Sequence, residues 1–262
     1  MSILEAIVLG LVQGLTEFLP VSSSGHLVIG KELLGIESSG IAFEVVVHAA
    51  TVLSTLVAFR KDILELLSGV LKFKMNGQTI YVFKILVSMI PVFVVGMFLK
   101  DHVEALFGEG TIVVGIALLV TSFLLYLSGV LKPKEKGITF RNALIIGVAQ
   151  SVAVIPGLSR SGATISTGLL LGARREDIAK FSFLMVLIPI LGEAFLELVS
   201  GGFASESTGI GVLPLAAGFL AAFTSGLFAC KAMIALVKKT KLKGFALYCA
   251  ILGVIAIIYS YV

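Results

Sequence analysis

The chain has 262 residues, of which 58% are hydrophobic and only 14% are charged, and its mean hydropathy is +1.09. Soluble domains carry about 25% charged residues, so this composition excludes an ordinary soluble protein and indicates an integral membrane protein. The net charge of +4 is assigned to the loops between membrane segments, and no nucleic-acid partner is expected. The N-terminus lacks a basic region, so no cleavable signal peptide is expected.

Six apolar runs approach the roughly 20 residues that cross the hydrocarbon core of a bilayer. They are predicted to be spanning helices at 41–59, 80–99, 111–131, 178–199, 211–230 and 244–262. Lys and Arg concentrate in loops that face the cytoplasm. The basic loops are therefore predicted to be cytoplasmic: 60–79, 132–141 and 231–243. The loops 100–110 and 200–210 are predicted to lie outside.

Two further apolar stretches, near 1–36 and 142–173, are each interrupted by a polar cluster. The apolar pieces beside each cluster are too short to span, so both stretches are predicted to be re-entrant helix hairpins. Non-helical backbone at membrane depth is tolerated only where it is buried in protein or lines water. The predicted fold class is an all-α integral membrane protein with six transmembrane helices, two re-entrant helix hairpins and an inverted-topology repeat.

The repeat is seen when the chain is shifted by 137 residues. The shift places Ala6, Gly10, Gln13, Ser22, Ser24 and Gly25 on Ala143, Gly147, Gln150, Ser159, Ser161 and Gly162. The chain is predicted to be a single membrane domain, 1–262, with repeat halves of approximately 1–131 and 138–262. Three spanning helices per half require the second half to be inverted. Transporters use this plan, so a transporter or flippase of a phosphorylated polyprenyl lipid is the alternative function.

The first polar cluster combines an acid, an amide, hydroxyls and an imidazole. Gln13 and Glu17 are four residues apart and share one helix face. Glu17 could orient a catalytic group, act as a base, hold a divalent cation or serve as a structural acid. A run of three serines follows: Ser22, Ser23 and Ser24. Such a run suits anion binding at a helix start and equally N-capping, and His26 is predicted to be a proton carrier or nucleophile.

The second polar cluster places Arg160 between Ser159 and Ser161, with Thr164 one helical turn further along. Arginine grips phosphate in a fork, although Arg160 could instead pair with Glu17. Ionisable groups at membrane depth face a protein interior or a wet cavity and mark function. Together the clusters suit hydrolysis of a phosphate ester or anhydride carried on a lipid, and the chain has no Walker-type loop for a nucleotide.

These residues also carry a resemblance to a known family. The segments Gln13–Glu17, Pro20–His26 and Pro156–Thr164 resemble the signature motifs of the bacterial undecaprenyl-diphosphate phosphatase family of the bacitracin-resistance type, and the likeness extends to 43–46 and 131–135. The resemblance implies removal of the terminal phosphate from undecaprenyl diphosphate. The product is the carrier lipid for peptidoglycan synthesis in the cell wall, and its recycling confers bacitracin resistance. The resemblance also implies a multi-pass protein of the bacterial cytoplasmic (inner) membrane whose site opens to the outer face.

By motif position, the resemblance implies a catalytic core of four residues: Glu17, Ser23, His26 and Arg160. The implied phosphate-binding residues are Gln13, Ser22, Ser24, Ser159, Ser161 and Thr164. A divalent cation, Mg²⁺ or Ca²⁺, is also implied, with Glu17 as its ligand. The family takes Glu or Gln at position 13, so Gln13 is not expected to be an obligatory charged ligand.

The predicted mechanism starts with attack by Ser23 on the terminal phosphorus, and His26 or Glu17 takes the proton. Attack by His26 or by water stays open. His48 is predicted to pack in its helix, and support of a catalytic side chain from behind is the alternative. The expected partners are a polyprenyl diphosphate lipid and membrane lipid, and a homo-oligomer is left open.

Overall fold

The computed structural model describes residues 1–36, 42–107, 110–130, 135–200, 210–239 and 242–261. These parts of the chain fold into helices and form no strand, which confirms the predicted all-α class. Residues 201–209 of the predicted loop 200–210 lie outside the described residues, as do 131–134 and 240–241 in or beside the basic loops.

The helices follow one another in the order of the predicted apolar runs. In the first half they are α1 (Ile3–Phe18), α2 (Ser23–Leu33), α3 (Ala42–Ala58), α4 (Arg60–Val70), α5 (Gly77–Phe98), α6 (Lys100–Phe107) and α7 (Gly110–Val130). In the second half they are α8 (Phe140–Val152), α9 (Arg160–Leu170), α10 (Arg175–Met185), α11 (Leu187–Ser200), α12 (Val212–Lys239) and α13 (Lys243–Tyr259).

Three of these helices are individually long and apolar enough to cross a membrane: α5, α7 and α12. The bent pair α3 and α4, which meet at 75°, would make a fourth span if counted as one unit. By length and composition, the described part of the chain therefore holds three or four candidate spans, which confirms the membrane character but gives fewer spans than the predicted six.

The predicted helix 178–199 is two helices, α10 and α11, which meet at Val186. Pro189, in the first turn of α11, explains the break, because proline has no N–H to donate to the preceding turn and fits best at the start of a helix. The predicted outer loop 100–110 also differs, since most of it forms the short helix α6. Val103 and Leu106, three residues apart, give α6 a half-buried apolar side.

Small residues set how closely the helices pack. Helix α1 lies against α12, α8 lies against α5, and α7 lies against α13. A Cβ added at Gly10 would lie 2.4 Å from the carbonyl oxygen of Gly218, and one added at Gly115 would lie 2.7 Å from that of Gly253. In lipid, where apolar side chains gain little by leaving their solvent, such close backbone approach is a main source of helix association.

The two predicted hairpins are helix–turn–helix units with matching local structure. Helices α2 and α9 each have 11 residues, and their first residues are 137 positions apart. Ser22 and Ser159 are their N-caps, and each hydroxyl oxygen accepts a hydrogen bond from a glycine N–H, that of Gly25 at 3.2 Å and that of Gly162 at 3.0 Å. The N-capping alternative raised for the first serine run therefore holds at Ser22, and Ser159 caps α9 in the same way.

We expect Gly147→Ala to lower the thermal stability of the protein, because the added methyl group would lie 2.2 Å from the backbone oxygen of Ser88 and press α8 away from α5. Overpacking of this kind costs about 1–3 kcal/mol. Gly96→Ala is the matched control, since its added Cβ meets nothing within 4 Å. Thermal unfolding in detergent measures both variants, and equal midpoints would contradict close packing at Gly147.

Candidate active site

The turns of the two hairpins meet in the interior of the protein. The backbone N–H of Gly157 donates to the Ser24 hydroxyl at 3.3 Å, and the Ser161 hydroxyl donates to the carbonyl of Leu19 at 3.1 Å. Each hairpin thus contacts the turn of the other through a serine hydroxyl. Both serines, Ser24 and Ser161, lie two residues after the N-cap of their helix. The α-carbon of Gly157 would lie 3.1 Å from a Cβ added at Gly25, so a side chain at that position would separate the hairpins.

Glu17 is the centre of the site and lies in the last turn of α1, with its side chain 7% exposed. Its Oε2 accepts hydrogen bonds from the Ser23 hydroxyl at 2.6 Å and from the Gln13 amide at 2.7 Å. Its Oε1 lies 3.3 Å from a terminal guanidinium nitrogen of Arg160. The structure therefore brings together four of the predicted site residues: Glu17 itself, Ser23 and Gln13 on one carboxylate oxygen, and Arg160 on the other.

The charges of this pair occupy unfavourable helix ends. A carboxylate is disfavoured at a helix C-terminus and a cation at an N-terminus, yet Glu17 lies in the last turn of α1 and Arg160 begins α9. Each charge is stabilised mainly by the other. The N-terminus of α9 together with Arg160 consequently favours an anion, which suits a phosphate group.

His48, on α3, is a further member of the site. Its Nδ1 donates to the carbonyl of Glu44 at 2.8 Å, because a carbonyl oxygen can only accept. Its Nε2 lies 3.5 Å from Glu17 Oε2, and this contact is attractive only when a proton lies on Nε2 or on the carboxyl group. An ionisable residue inside a predicted span is a site candidate by default. The contact with Glu17 agrees with that rule and differs from the helix-packing role predicted for His48.

His26 has different surroundings from the other predicted catalytic residues. Its Nδ1 donates to the carbonyl of Ser22 at 2.7 Å, and its Nε2 lies 2.7 Å from the hydroxyl of Tyr248 on α13. Both ring nitrogens are used by these two bonds, so in this arrangement neither is directed at Glu17 or Ser23.

Two further predicted residues, Ser161 and Thr164, lie beside the arginine. Thr164 donates its hydroxyl to the carbonyl of Arg160 at 2.8 Å, and it lies 2.6 Å from the hydroxyl of Ser182. A cavity beside Glu17 is lined by Arg160, Ser161 and Thr164. Sequence reasoning missed four polar residues of its wall: Thr51, Thr55, Gln150 and Ser182. The sequence could have indicated three of them. Thr51 and Thr55 are polar residues one turn apart within a predicted span, and Gln150 is the repeat partner of Gln13.

The fold and the site define an integral membrane protein with a buried acid, hydroxyl and arginine cluster. Residues 6–255 match the family described as bacitracin resistance protein BacA, and the chain belongs to that family. It is similar to proteins named undecaprenyl-diphosphatase: 52% identical to one from Christiangramia forsetii, over 100% of this chain and 99% of the relative. It is also 56% identical to one from Parabacteroides distasonis, over 98% of each chain. Across a larger distance, it is 39% identical to one from Methanosphaera stadtmanae, over 100% of this chain and 99% of the relative.

The ion pair yields a prediction about stability. Arg160→Met leaves Glu17 buried without its cation, which costs about 3 kcal/mol for a buried pair, and Glu17→Gln leaves Arg160 without its anion. We expect each single variant to lower the thermal midpoint, and the double variant to lower it by less than the sum, because neither charge is then left alone.

The control for this cycle is Arg174→Met, which breaks an exposed pair with Asp177. Exposed pairs contribute about 0–1 kcal/mol, so its midpoint should hardly move. Strict additivity of the two site variants, measured by thermal unfolding in detergent, would mean that Glu17 and Arg160 do not stabilise each other.

Proposed function

We propose that this protein hydrolyses undecaprenyl diphosphate to undecaprenyl phosphate and inorganic phosphate. The reaction returns the lipid carrier to peptidoglycan synthesis and confers bacitracin resistance. The observation that carries the proposal is the Ser23 hydroxyl donating to Glu17 at 2.6 Å, opposite Arg160. A nucleophile, a base and a phosphate-binding cation are thereby joined in a chain whose full-length relatives are named undecaprenyl-diphosphatase.

The proposed reaction begins with Arg160 and the N–H groups at the start of α9 binding the diphosphate. Ser23 Oγ attacks the terminal phosphorus and passes its proton to Glu17 Oε2. The bond from that phosphorus to the bridging oxygen breaks, and undecaprenyl phosphate leaves. Water then attacks the phosphoserine, which releases inorganic phosphate and restores the serine. Glu17 rather than His26 is the base in this scheme, because the Ser23 hydroxyl already donates to it.

We also propose that a divalent cation, Mg²⁺ or Ca²⁺, is held beside Glu17. Gln13 is fully buried, and its Oε1 has no hydrogen-bond partner within the described part of the chain. A carboxylate and an amide oxygen are donors that these hard cations prefer. No group of three His, Cys, Asp or Glu side chains suited to a metal occurs among the described residues, so phosphate oxygens of the substrate would complete the ligand set. When bound, the cation would offset the charge of the diphosphate.

The proposed architecture has six transmembrane helices, two re-entrant hairpins and inverted repeat halves of approximately 1–131 and 138–262. The equal lengths and matching caps of α2 and α9 support it. Packing between the halves supports it as well. The first helix of each hairpin packs on a long helix of the other half: α1 on α12, and α8 on α5. In the bacterial cytoplasmic membrane, the basic loops would then face the cytoplasm and the site would open to the outer face.

We expect cysteine labelling to report this orientation. A cysteine at His102, on α6, should react with a membrane-impermeant maleimide in intact cells, whereas one at Met75, in a basic loop, should react only after permeabilisation. Both positions are exposed, and the native Cys230 and Cys249 are buried, which keeps the background low. The reverse pattern would invert the proposed topology.

The activity is tested by phosphate release from a long-chain polyprenyl diphosphate, with purified protein in detergent, in Mg²⁺ or Ca²⁺ and after chelation. We expect Ser23→Ala and Arg160→Ala each to lower kcat/KM by at least about a hundredfold, because they remove the nucleophile and the phosphate fork. Arg160→Lys should restore little, since lysine lacks the planar fork. Ser68→Ala, on the exposed surface of α4, is the control and should match the wild type.

The same assay separates the alternative function, a transporter or flippase of a phosphorylated polyprenyl lipid. The repeated hairpins, each packed on a helix of the other half, favour that alternative. A transporter, however, needs no hydrogen bond from the Ser23 hydroxyl to Glu17. Lipid binding by the wild type without phosphate release would support the transporter and overturn the hydrolase. Release that survives in Ser23→Ala would keep the hydrolase and move the attack to His26 or water.

A further inference from the structure

Ser22 has a backbone conformation that is strained for a residue with a side chain. Its φ is +68° and its ψ is 100°, in the left-handed half of conformational space that only glycine enters freely. Such conformations persist only where the surroundings hold them. Ser22 directly precedes Ser23, so its conformation decides where the Ser23 hydroxyl points.

The ring of His26 holds this conformation from the next helical turn. The carbonyl of Ser22 accepts two hydrogen bonds from His26, one from the backbone N–H at 3.2 Å and one from Nδ1 at 2.7 Å. The Ser22 hydroxyl in turn accepts from the N–H of Gly25. The peptide between Ser22 and Ser23 is therefore fixed by the imidazole as well as by the cap.

The second hairpin provides an internal comparison without the histidine. Its cap residue, Ser159, has an ordinary φ of −74° and ψ of 117°. The position that corresponds to His26 under the shift of 137 residues is Ala163. Both caps accept from a glycine N–H at similar distances, so capping alone does not require the strained conformation. The strain occurs in the hairpin that has the histidine and the attacking serine.

Tyr248, on α13, fixes the histidine in turn. Because Nδ1 carries the proton given to the Ser22 carbonyl, Nε2 of neutral His26 has the lone pair, and the Tyr248 hydroxyl donates to it at 2.7 Å. The two rings are nearly parallel, with an interplanar angle of 5°. The neighbouring Cys249 thiol lies 3.6 Å from the carbonyl of Pro20, in the turn of the same hairpin. Helix α13 thus supports the first hairpin at two adjacent residues.

We propose that Tyr248 and His26 are positioning residues for Ser23. Tyr248 sets the tautomer and direction of the His26 ring, and the ring holds the strained Ser22 carbonyl. The Ser23 hydroxyl is thereby placed on Glu17, and His26 neither attacks phosphorus nor carries the proton of the reaction. This inference rests on the proposed hydrolase function, and it assigns to Tyr248 a part that no sequence motif indicated.

Amide substitutions at position 26 distinguish positioning from proton transfer. The side-chain nitrogen of asparagine reaches about as far as Nδ1, so His26→Asn can still donate to the Ser22 carbonyl but cannot exchange a proton near neutral pH. Glutamine is one methylene longer and reaches the position of Nε2 instead. We expect His26→Asn to keep more than a tenth of the wild-type kcat, and His26→Gln and His26→Ala to fall a hundredfold or more.

Tyr248→Phe removes only the hydroxyl group. We expect kcat to fall about two- to tenfold, the value of one neutral hydrogen bond, with KM unchanged because Arg160 and the phosphate site are intact. In the His26→Asn background the hydroxyl has lost its partner, so adding Tyr248→Phe should change kcat little further. Tyr126→Phe, an exposed tyrosine on α7, is the matched control and should match the wild type.

Phosphate release from the polyprenyl diphosphate is measured for all variants, with thermal midpoints to show that each is folded. Two results would overturn the inference and make His26 the proton carrier. One is a folded His26→Asn variant that is as inactive as His26→Ala. The other is a His26→Asn variant whose pH–rate profile lacks the acid limb seen for the wild type. Independent, multiplicative effects of Tyr248→Phe and His26→Asn would overturn the link between them. An inactive wild type would instead contradict the proposed hydrolase itself.

Discussion

Glu17 and Arg160 bear opposite charges in a place where neither charge could remain alone. Each lies at the helix end that disfavours its sign, and each is carried into the interior by a hairpin whose own backbone needs burial in protein. Joining the charges therefore joins the hairpins. The crossed bonds from Gly157 to Ser24 and from Ser161 to Leu19 then fix their relative position. The remaining helices surround this junction, and their glycines allow the close approach that keeps it enclosed.

The chemistry comes from the differences between two similar hairpins. Under the shift of 137 residues, Ser23 corresponds to Arg160, Glu17 to Val154 and His26 to Ala163. One hairpin supplies the hydroxyl of Ser23 and the acid Glu17, and the other supplies the guanidinium group of Arg160. The matching N-caps of α2 and α9 hold both helix starts in place. Different side chains at equivalent positions of the two hairpins therefore account for their different chemical groups.

Patterns that are local in the chain were predicted well, and patterns that depend on distant contacts were not. Hydropathy placed the span 80–99 within three residues of Gly77–Phe98, and the motifs brought Gln13, Glu17, Ser23 and Arg160 into one site. The basic run near 238 was predicted to be loop, yet α12 continues to Lys239, because lysine is a good helix former once clear of lipid. Tyr248 lies 222 residues from His26, and only the folded packing of α13 brings them together.

The bond between Arg160 and Glu17 also bears on how quickly the site empties. A phosphate that takes the guanidinium nitrogen now 3.3 Å from the Glu17 carboxylate would displace that contact, so the protein carries its own competitor for an anion at this nitrogen. Competition of this kind weakens the hold on inorganic phosphate after the reaction as much as it weakens the first encounter with the diphosphate. In the proposed hydrolase, which gains nothing from tight ground-state binding, this competition would favour release of the smaller product, inorganic phosphate.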